Sequence, residues 1–417
     1  MSEIALPPRT AYPWYLTSSS LWMAGMSLQG FLFTWLLVGI LERPADEAGL
    51  ARSLAEFPPL AVLLLGGLLG DRFDNRAYLG VMHLLMAVPP LLIAAVYLNG
   101  ALSYWWVVLF GVLMASIQAL SDPARQAVLS RVSRMDLQRA VTLMMVVTSL
   151  VGLSGVYLGG QLDTLGLPTV LAAQAALFAV GLLAVARLPR LPSISARGVR
   201  RPSFAEGLRA VWETALIRNI IGLNFISSLF NAGAYIIGIP YIVKEVYAGD
   251  AAFLANVMIV FTIGSIGSNV LLLAFMPLKH PGRLYLLLQL TRMFILGLLW
   301  LQPSLWLFYV LIVAWGLNMG VTTTLVRTTV QELAPEHHRA QILSVLLLSF
   351  VVSSPISSIL LGVLIAETEP LTAMLPGIAI SLLIFLIGTT RSGLWGYVSP
   401  ATKTRAAGPQ NPPRTTR

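Results

Sequence analysis

A chain of 417 residues that is 57% hydrophobic and only 11% charged, with a mean hydropathy of +0.79, falls well short of the roughly 25% charged residues of a soluble domain and reads as a membrane protein. It has no cysteine, which excludes disulfides, thiolate metal sites and cysteine nucleophiles; its four histidines are scattered apart from His337 and His338, so neither a metal nor a cofactor is expected. A formal charge of +9 raises nucleic acid as a partner, but in a membrane chain Lys and Arg gather in cytoplasmic loops, so their positions decide the matter.

Apolar runs of about 20 residues, the length that crosses about 30 Å of hydrocarbon as helix, recur almost from end to end. They fall at about 17–41, 50–69, 77–98, 103–121, 140–162, 169–187, 218–243, 252–276, 283–301, 304–326, 340–365 and 370–390, which makes twelve predicted helices. The first run is too long for a signal-peptide core and lacks a small-residue cleavage site, so it is expected to be retained. With both termini cytoplasmic, 23 of the 27 Lys and Arg lie in cytoplasmic segments, the exceptions being Arg43, Arg52, Lys244 and Arg292. That asymmetry sets the orientation and accounts for the basic charge without nucleic acid.

The first span carries Gly25, Gln29 and Phe33 on one face. In the second, Glu56 lies about 21 Å outward of Gly70 along the helix, with Arg52 one turn away. Two readings stay open for Glu56: a carboxylate that takes up the proton of a coupled cycle, or a group neutralised by Arg52 near the outer surface. His83, early in the third span, reads either as a buried hydrogen-bonded group or as a proton relay. The fourth brings Gln118 and Asp122, a further proton-coupling candidate, to its inner end. In the fifth, Gly152, Gly155, Gly159 and Gly160 have the spacing that lets two helix backbones approach closely. Prolines inside spans, Pro58-Pro59, Pro89-Pro90, Pro240 and Pro355, are expected to bend them, and Trp105, Trp106, Trp300 and Trp306 at span ends read as interfacial anchors.

The longest polar interval, Arg187 to Arg218, is rich in Pro, Ser and Arg and splits the chain into residues 1–190, a six-helix bundle, 191–217, a cytoplasmic linker, and 218–392, a second bundle. Within the linker, Ser203 to Ile217 has the apolar spacing of an amphipathic helix lying on the inner leaflet; residues 393–417 read as a disordered cytoplasmic tail. In the second half, Asn224, Ser228, Asn231 and Tyr235 share one face of the seventh span, and Trp315, Asn318 and Thr322 one face of the tenth. Arg292 lies about 13 Å past Arg283 along the ninth, near the membrane midplane, where it reads as a substrate-binding charge or as the partner of Gln289 or a neighbouring helix. Ser19 to Gly25 recurs as Ser227 to Gly233, an offset of 208, and Arg125 to Arg139 recurs as Arg327 to Arg339 near offset 200. Two matches at corresponding helices favour a duplicated six-helix unit.

The stretch GGLLGDRFDNR, Gly66 to Arg76, concentrates charge at the end of the second span. Its Gly67, Leu69, Asp71, Arg72 and Arg76 resemble the signature of the major facilitator superfamily, approximately G-x-L-A-D-R-x-G-R-R, with departures at Gly70, Asp74 and Asn75. The D-R-F-D variant, with D-P-A-R-Q-A at Asp122 to Ala127, resembles the drug- and siderophore-exporting branch that includes the enterobactin exporter and macrolide efflux proteins. The glycines of the fifth span resemble the family's antiporter signature at Gly155, Gly159 and Gly160, with Val151 and Val156 as departures. The resemblance covers about residues 17–390 and implies an all-α polytopic protein of twelve helices in two pseudo-symmetric six-helix bundles. It implies further that Asp71 docks near Arg339 and Ala340 at the start of the eleventh helix with Arg125 as countercharge, and that the first, fourth, seventh and tenth helices line a central cavity.

These readings combine into a secondary transporter working by alternating access. The expected activity is proton-coupled export, as an antiporter, of a hydrophobic or amphiphilic organic compound such as a drug, siderophore or metabolite. The expected setting is the bacterial cytoplasmic (inner) membrane, as a monomer with the lipid bilayer, a small-molecule substrate and protons as its partners. A metabolite importer or symporter on the same fold is the alternative. A membrane enzyme or non-transporting sensor is disfavoured, because no nucleophile-base pair, phosphate-binding Gly loop or zinc signature is present.

Overall fold

The computed structural model describes residues 8–70, 73–192 and 204–400, and every regular element among them is helical. Twelve long helices occur there. The first six are α1 (Ala11–Trp35, continued by a π-helical turn at Leu36–Ile40), α2 (Ala45–Gly70), α3 (Asn75–Leu98), α4 (Tyr104–Val132), α5 (Leu137–Gly160) and α6 (Leu167–Ala186). The remainder are α7 (Ala215–Gly233, continued through π-helical turns at Ala234–Gly238 and Ile242–Val246), α8 (Ala251–Phe275), α9 (Pro281–Trp300), α10 (Leu305–Leu333), α11 (Arg339–Glu367) and α12 (Leu375–Arg391). Eleven of them, all but α2, are long and apolar enough among the described residues to cross a membrane, and α2 carries the second apolar run of the sequence. The chain is an integral membrane protein.

Several helices outrun their predicted spans: α1 starts at Ala11, α2 at Ala45, α4 runs to Val132 and α10 to Leu333. Hydropathy registers only the turns that lie in hydrocarbon, whereas the hydrogen-bond ladder continues into water wherever the side chains tolerate helix. Asp122 and Arg125, expected at the end of the fourth helix, therefore lie inside α4. The linker helix is shorter than expected, Phe204–Glu213, because the chain turns extended at Thr214 before α7 begins.

Two compact units emerge. One holds the first six long helices together with Tyr235–Ile259 and Ser358–Pro370; the other holds the described residues from Phe204 through Ala234, Val260–Ser357 and the chain from Leu371 on. In the first unit α5 lies against α1 through its glycines. A Cβ built on Gly155 would overlap the carbonyl oxygen of Ala24, one on Gly159 would overlap the Phe31 ring, and one on Gly152 would come within 2.9 Å of Ser27 Oγ. Gly160 faces Ala255 at the start of α8 in the same way, at 2.5 Å. The first unit is further closed by Tyr241, whose hydroxyl donates to the Arg43 carbonyl at 2.6 Å, and by Asp163, whose Oδ2 accepts from the Ala251 N–H at 3.2 Å. In the second unit a Cβ on Gly316 would overlap the Phe261 carbonyl, so α8 and α10 are in backbone contact.

The duplication shows in how α1 and α7 end. In α1 the Leu41 N–H reaches back to Leu36 O at 2.9 Å and the Arg43 N–H to Leu37 O at 2.9 Å. In α7 the Tyr247 N–H reaches Ile242 O at 3.1 Å and the Gly249 N–H reaches Val243 O at 2.7 Å. Each of these two terminal π turns is followed by a non-glycine residue in the left-handed region, Glu42 at φ 47° and Ala248 at φ 48°.

Candidate substrate cavity and polar clusters

A cavity of 330 Å³ opens in the first unit between α1, α2 and α4. Met23, Met26 and Phe33 of α1 with Met114 of α4 supply an apolar, adaptable wall; Gln29, Gln118, Arg52 and Glu56 supply polar groups. Inside it the Arg52 Nε donates to Glu56 Oε1 at 2.6 Å, one helical turn apart, with 27% and 22% of the two side chains exposed. Arg52 also lies 5.8 Å from the Phe33 ring centroid and lines a second space of 110 Å³ with Gly30, Thr34 and Tyr235. Gln29 is fixed from behind: Gln174 of α6 donates its Nε2 to Gln29 Oε1 at 3.2 Å and to the Gly25 carbonyl at 3.0 Å. The oxygen of Gln29 is thereby held by α6, while its amide nitrogen is not engaged by Gln174.

A closed polar cluster surrounds Trp22. The Arg125 guanidinium lies 3.9 Å from the Trp22 ring centroid and donates to Ser121 Oγ at 3.1 Å and Ser19 Oγ at 3.4 Å. His83 packs on the same indole at 4.9 Å, with its Nε2 3.1 Å from Ser18 Oγ and its Nδ1 3.2 Å from the Leu79 carbonyl. Both residues are buried, Arg125 bonds serines rather than Asp122, and neither lines the 330 Å³ cavity. Asp122 is half-buried, one turn beyond Gln118. Of the proton-coupling candidates, only Glu56 lines that cavity.

In the second unit, Arg292 reaches from α9 to both α7 and α10. Its Nη1 donates to Ser227 Oγ at 2.7 Å, its Nε and Nη2 to Asn318 Oδ1 at 3.0 and 2.9 Å, and its Nη2 to Thr322 Oγ1 at 3.3 Å. Asn318 is held in turn by donating to the Leu288 carbonyl at 2.8 Å and Thr291 Oγ1 at 2.7 Å. Asn318 and Thr322, expected as cavity residues, are therefore engaged by Arg292, and Trp315 beside them is buried edge-on against Phe261 at 6.0 Å. The predicted stripe Asn224, Ser228, Asn231, Tyr235 keeps its helical spacing only as far as Asn231, and it is not evenly buried. The buried positions are Asn224, Ser227 and Asn231, since Ser227 is the serine that meets Arg292 while Ser228 is only half-buried. The π turn from Ala234 then breaks the 3.6-residue phase, and Tyr235 belongs to the first unit.

Residues 16–358 match the sequence model of the Major Facilitator Superfamily. The chain belongs to this family. No curated protein sequence shows a significant match. Among solved structures, the nucleoside transporter NupG is similar in fold, with a TM-score of 0.73 at 14% identity over 93% of this chain and 98% of that one. A bacterial homologue of the human lysosomal transporter Spinster, inward-facing and unoccupied, gives 0.70 at 15% over 93% and 98%. A POT family transporter in complex with 5-aminolevulinic acid gives 0.70 at 13% over 92% and 96%. The protein is thus a transporter of the major facilitator superfamily.

Of the facilitator signature, Gly67 lies in the last turn of α2, and Asp71 and Arg72 lie outside the described residues, as does the expected docking of Asp71 near Arg339 and Ala340. The second half of the motif ties α3 to the end of α6. Asp74 caps α3 by accepting the Ala77 N–H at 3.0 Å and also accepts the Leu191 N–H at 2.8 Å, while Arg76 donates to the Ala186 carbonyl at 2.6 Å. Arg339 begins α11. Sequence reasoning missed three things here: Gln174, Arg52 as a cavity residue in its own right, and Ser227. The signal for Gln174 was present, a lone amide in the apolar run VLAAQAALF, which must find a partner inside a bilayer.

Proposed function

We propose that this facilitator is a proton-coupled exporter of an amphiphilic organic compound, working by alternating access in a bacterial cytoplasmic membrane with both termini inside. The observation that carries the reading is the Arg52–Glu56 pair inside a cavity lined also by methionines and phenylalanine. Methionines and an aromatic ring accommodate apolar bodies of varied shape, and Gln29 and Gln118 offer hydrogen bonds to a polar end. Charged Glu56 can accept hydrogen bonds from a donor at the substrate's polar end, and protonation removes that charge, so the proton and the substrate compete for the same carboxylate. Such competition is the chemistry of exchange. Export as the direction rests on the resemblance of Asp122 to Ala127 to the exporter branch, and the orientation on the cytoplasmic bias of Lys and Arg.

The test is flux of an amphiphile panel in proteoliposomes, with and without an imposed pH gradient. Gradient-driven extrusion is expected for the wild-type protein, and Glu56→Gln is expected to lower it by about tenfold or more while substrate exchange without a gradient persists. Inward accumulation that ignores the pH gradient would overturn both direction and coupling and favour a metabolite importer.

A further inference from the structure

The guanidinium of Arg292 is buried, with 5% of the residue exposed, and its hydrogen-bond partners are the neutral groups Ser227, Asn318 and Thr322. It stands at the twelfth position of a 20-residue helix, about 16 Å from the start, beyond the reach of phospholipid headgroups. Among the described residues, no carboxylate lies at that depth on the helices it touches. α9 has no acid, Glu245 is at the far end of the α7 segment, and Glu332 is ten residues past Thr322 on α10, about 15 Å along the helix. A guanidinium stays charged where a lysine or histidine could shed its proton, and an uncompensated charge in hydrocarbon costs several kcal/mol.

The helices it joins carry unused buried donors. Gln289, fully buried, is tied to the same Ser227 through its Oε1 at 3.4 Å and leaves its Nε2 without a partner. The Asn224 Nδ2 and the Tyr285 hydroxyl, on the buried faces of α7 and α9, are likewise unpartnered.

We propose that Arg292, with Ser227 and Gln289, forms an anion-recognition site in the second half that takes a carboxylate group of the transported amphiphile, Asn318 Oδ1 occupying the guanidinium fork until the carboxylate arrives. This names the substrate class within the transport reading above and rests on it. The site selects an amphiphilic organic acid over its uncharged analogue.

The test is equilibrium binding to the purified full chain in detergent, read from melting temperature against concentration for 4-phenylbutyrate and its uncharged amide, 4-phenylbutyramide. The wild-type protein should bind the acid about tenfold more tightly than the amide, the difference expected of a charge-assisted fork. Arg292→Gln should erase that preference. Asn318→Asp, which supplies an internal carboxylate to the same fork and keeps the cation compensated, should fold and erase it as well. Equal midpoints for acid and amide in the wild type, or a preference that survives in the folded Asn318→Asp protein, would overturn the proposal. Because no gradient is applied, loss of the acid preference with intact pH-driven flux sinks the anion site alone, and the converse sinks the coupling alone.

Discussion

Asp74 stands where the facilitator signature has glycine, and its two bonds explain the departure. One carboxylate oxygen caps the start of α3, where backbone N–H groups have no helical partner; the other holds the Leu191 N–H in the segment after α6. Asp74→Ala removes both, and the melting temperature in detergent should fall by the equivalent of about 1 kcal/mol, with Asp74→Asn retaining part of it. An unchanged melting temperature would mean that Arg76 on the Ala186 carbonyl suffices to fix this corner. Residues of this kind were half legible. Asp, Asn and Ser before an apolar run announce a cap, but the partner at Leu191 lies 117 residues away and no local pattern encodes it. Gln29 and Gln174, 145 residues apart, are the same case inside the membrane.

At the scale of the helix, α5 was the most readable element, because small residues at spacings of three and four can only mean close approach of another backbone. The partner, α1, and the contact of Gly155 with the Ala24 carbonyl follow from the fold. Gly155→Val places a branched side chain where there is no room for a Cβ, and the neighbour is backbone, which cannot rotate away. The folded yield should collapse, measured as the monodisperse fraction after detergent extraction. Gly30→Ala should be tolerated, because a Cβ at that half-buried position would meet nothing within 4 Å. α7 was the least readable. Period-3.6 reasoning fits Asn224 to Asn231 and fails at Tyr235, because an i→i−5 turn adds a residue that no hydropathy pattern registers.

Over the whole molecule the duplication was visible in sequence only at Ser19 to Gly25 and near Arg125, yet it runs deeper in structure. The ends of α1 and α7, LLVGILER and IVKEVYAG, share no residue at matched positions and still adopt the same π turn followed by the same left-handed residue. Backbone hydrogen bonding preserved what side chains lost. The side chains that drifted apart are those that distinguish the halves: a methionine-lined cavity with an ion pair in one, a guanidinium among amides and hydroxyls in the other. Twelve helices and their order were legible because each apolar run had to satisfy its own backbone. The site was less so, since its chemistry is assembled across helices.

The π turn at Ala234–Gly238 begins at the residue where α7 passes from the second compact unit to the first. Its carbonyls are shared over a wider ring than those of the turns before it, so it should open to solvent deuterium without the flanking turns opening too. In lipid nanodiscs, amides 234–238 should exchange about tenfold faster than those of Ile220 to Ser227, and substrate should slow them. Uniform protection along α7 would make it a rigid rod; a fast patch at residues 234–238 would give the protein a clock, readable in minutes, for how often this single turn opens.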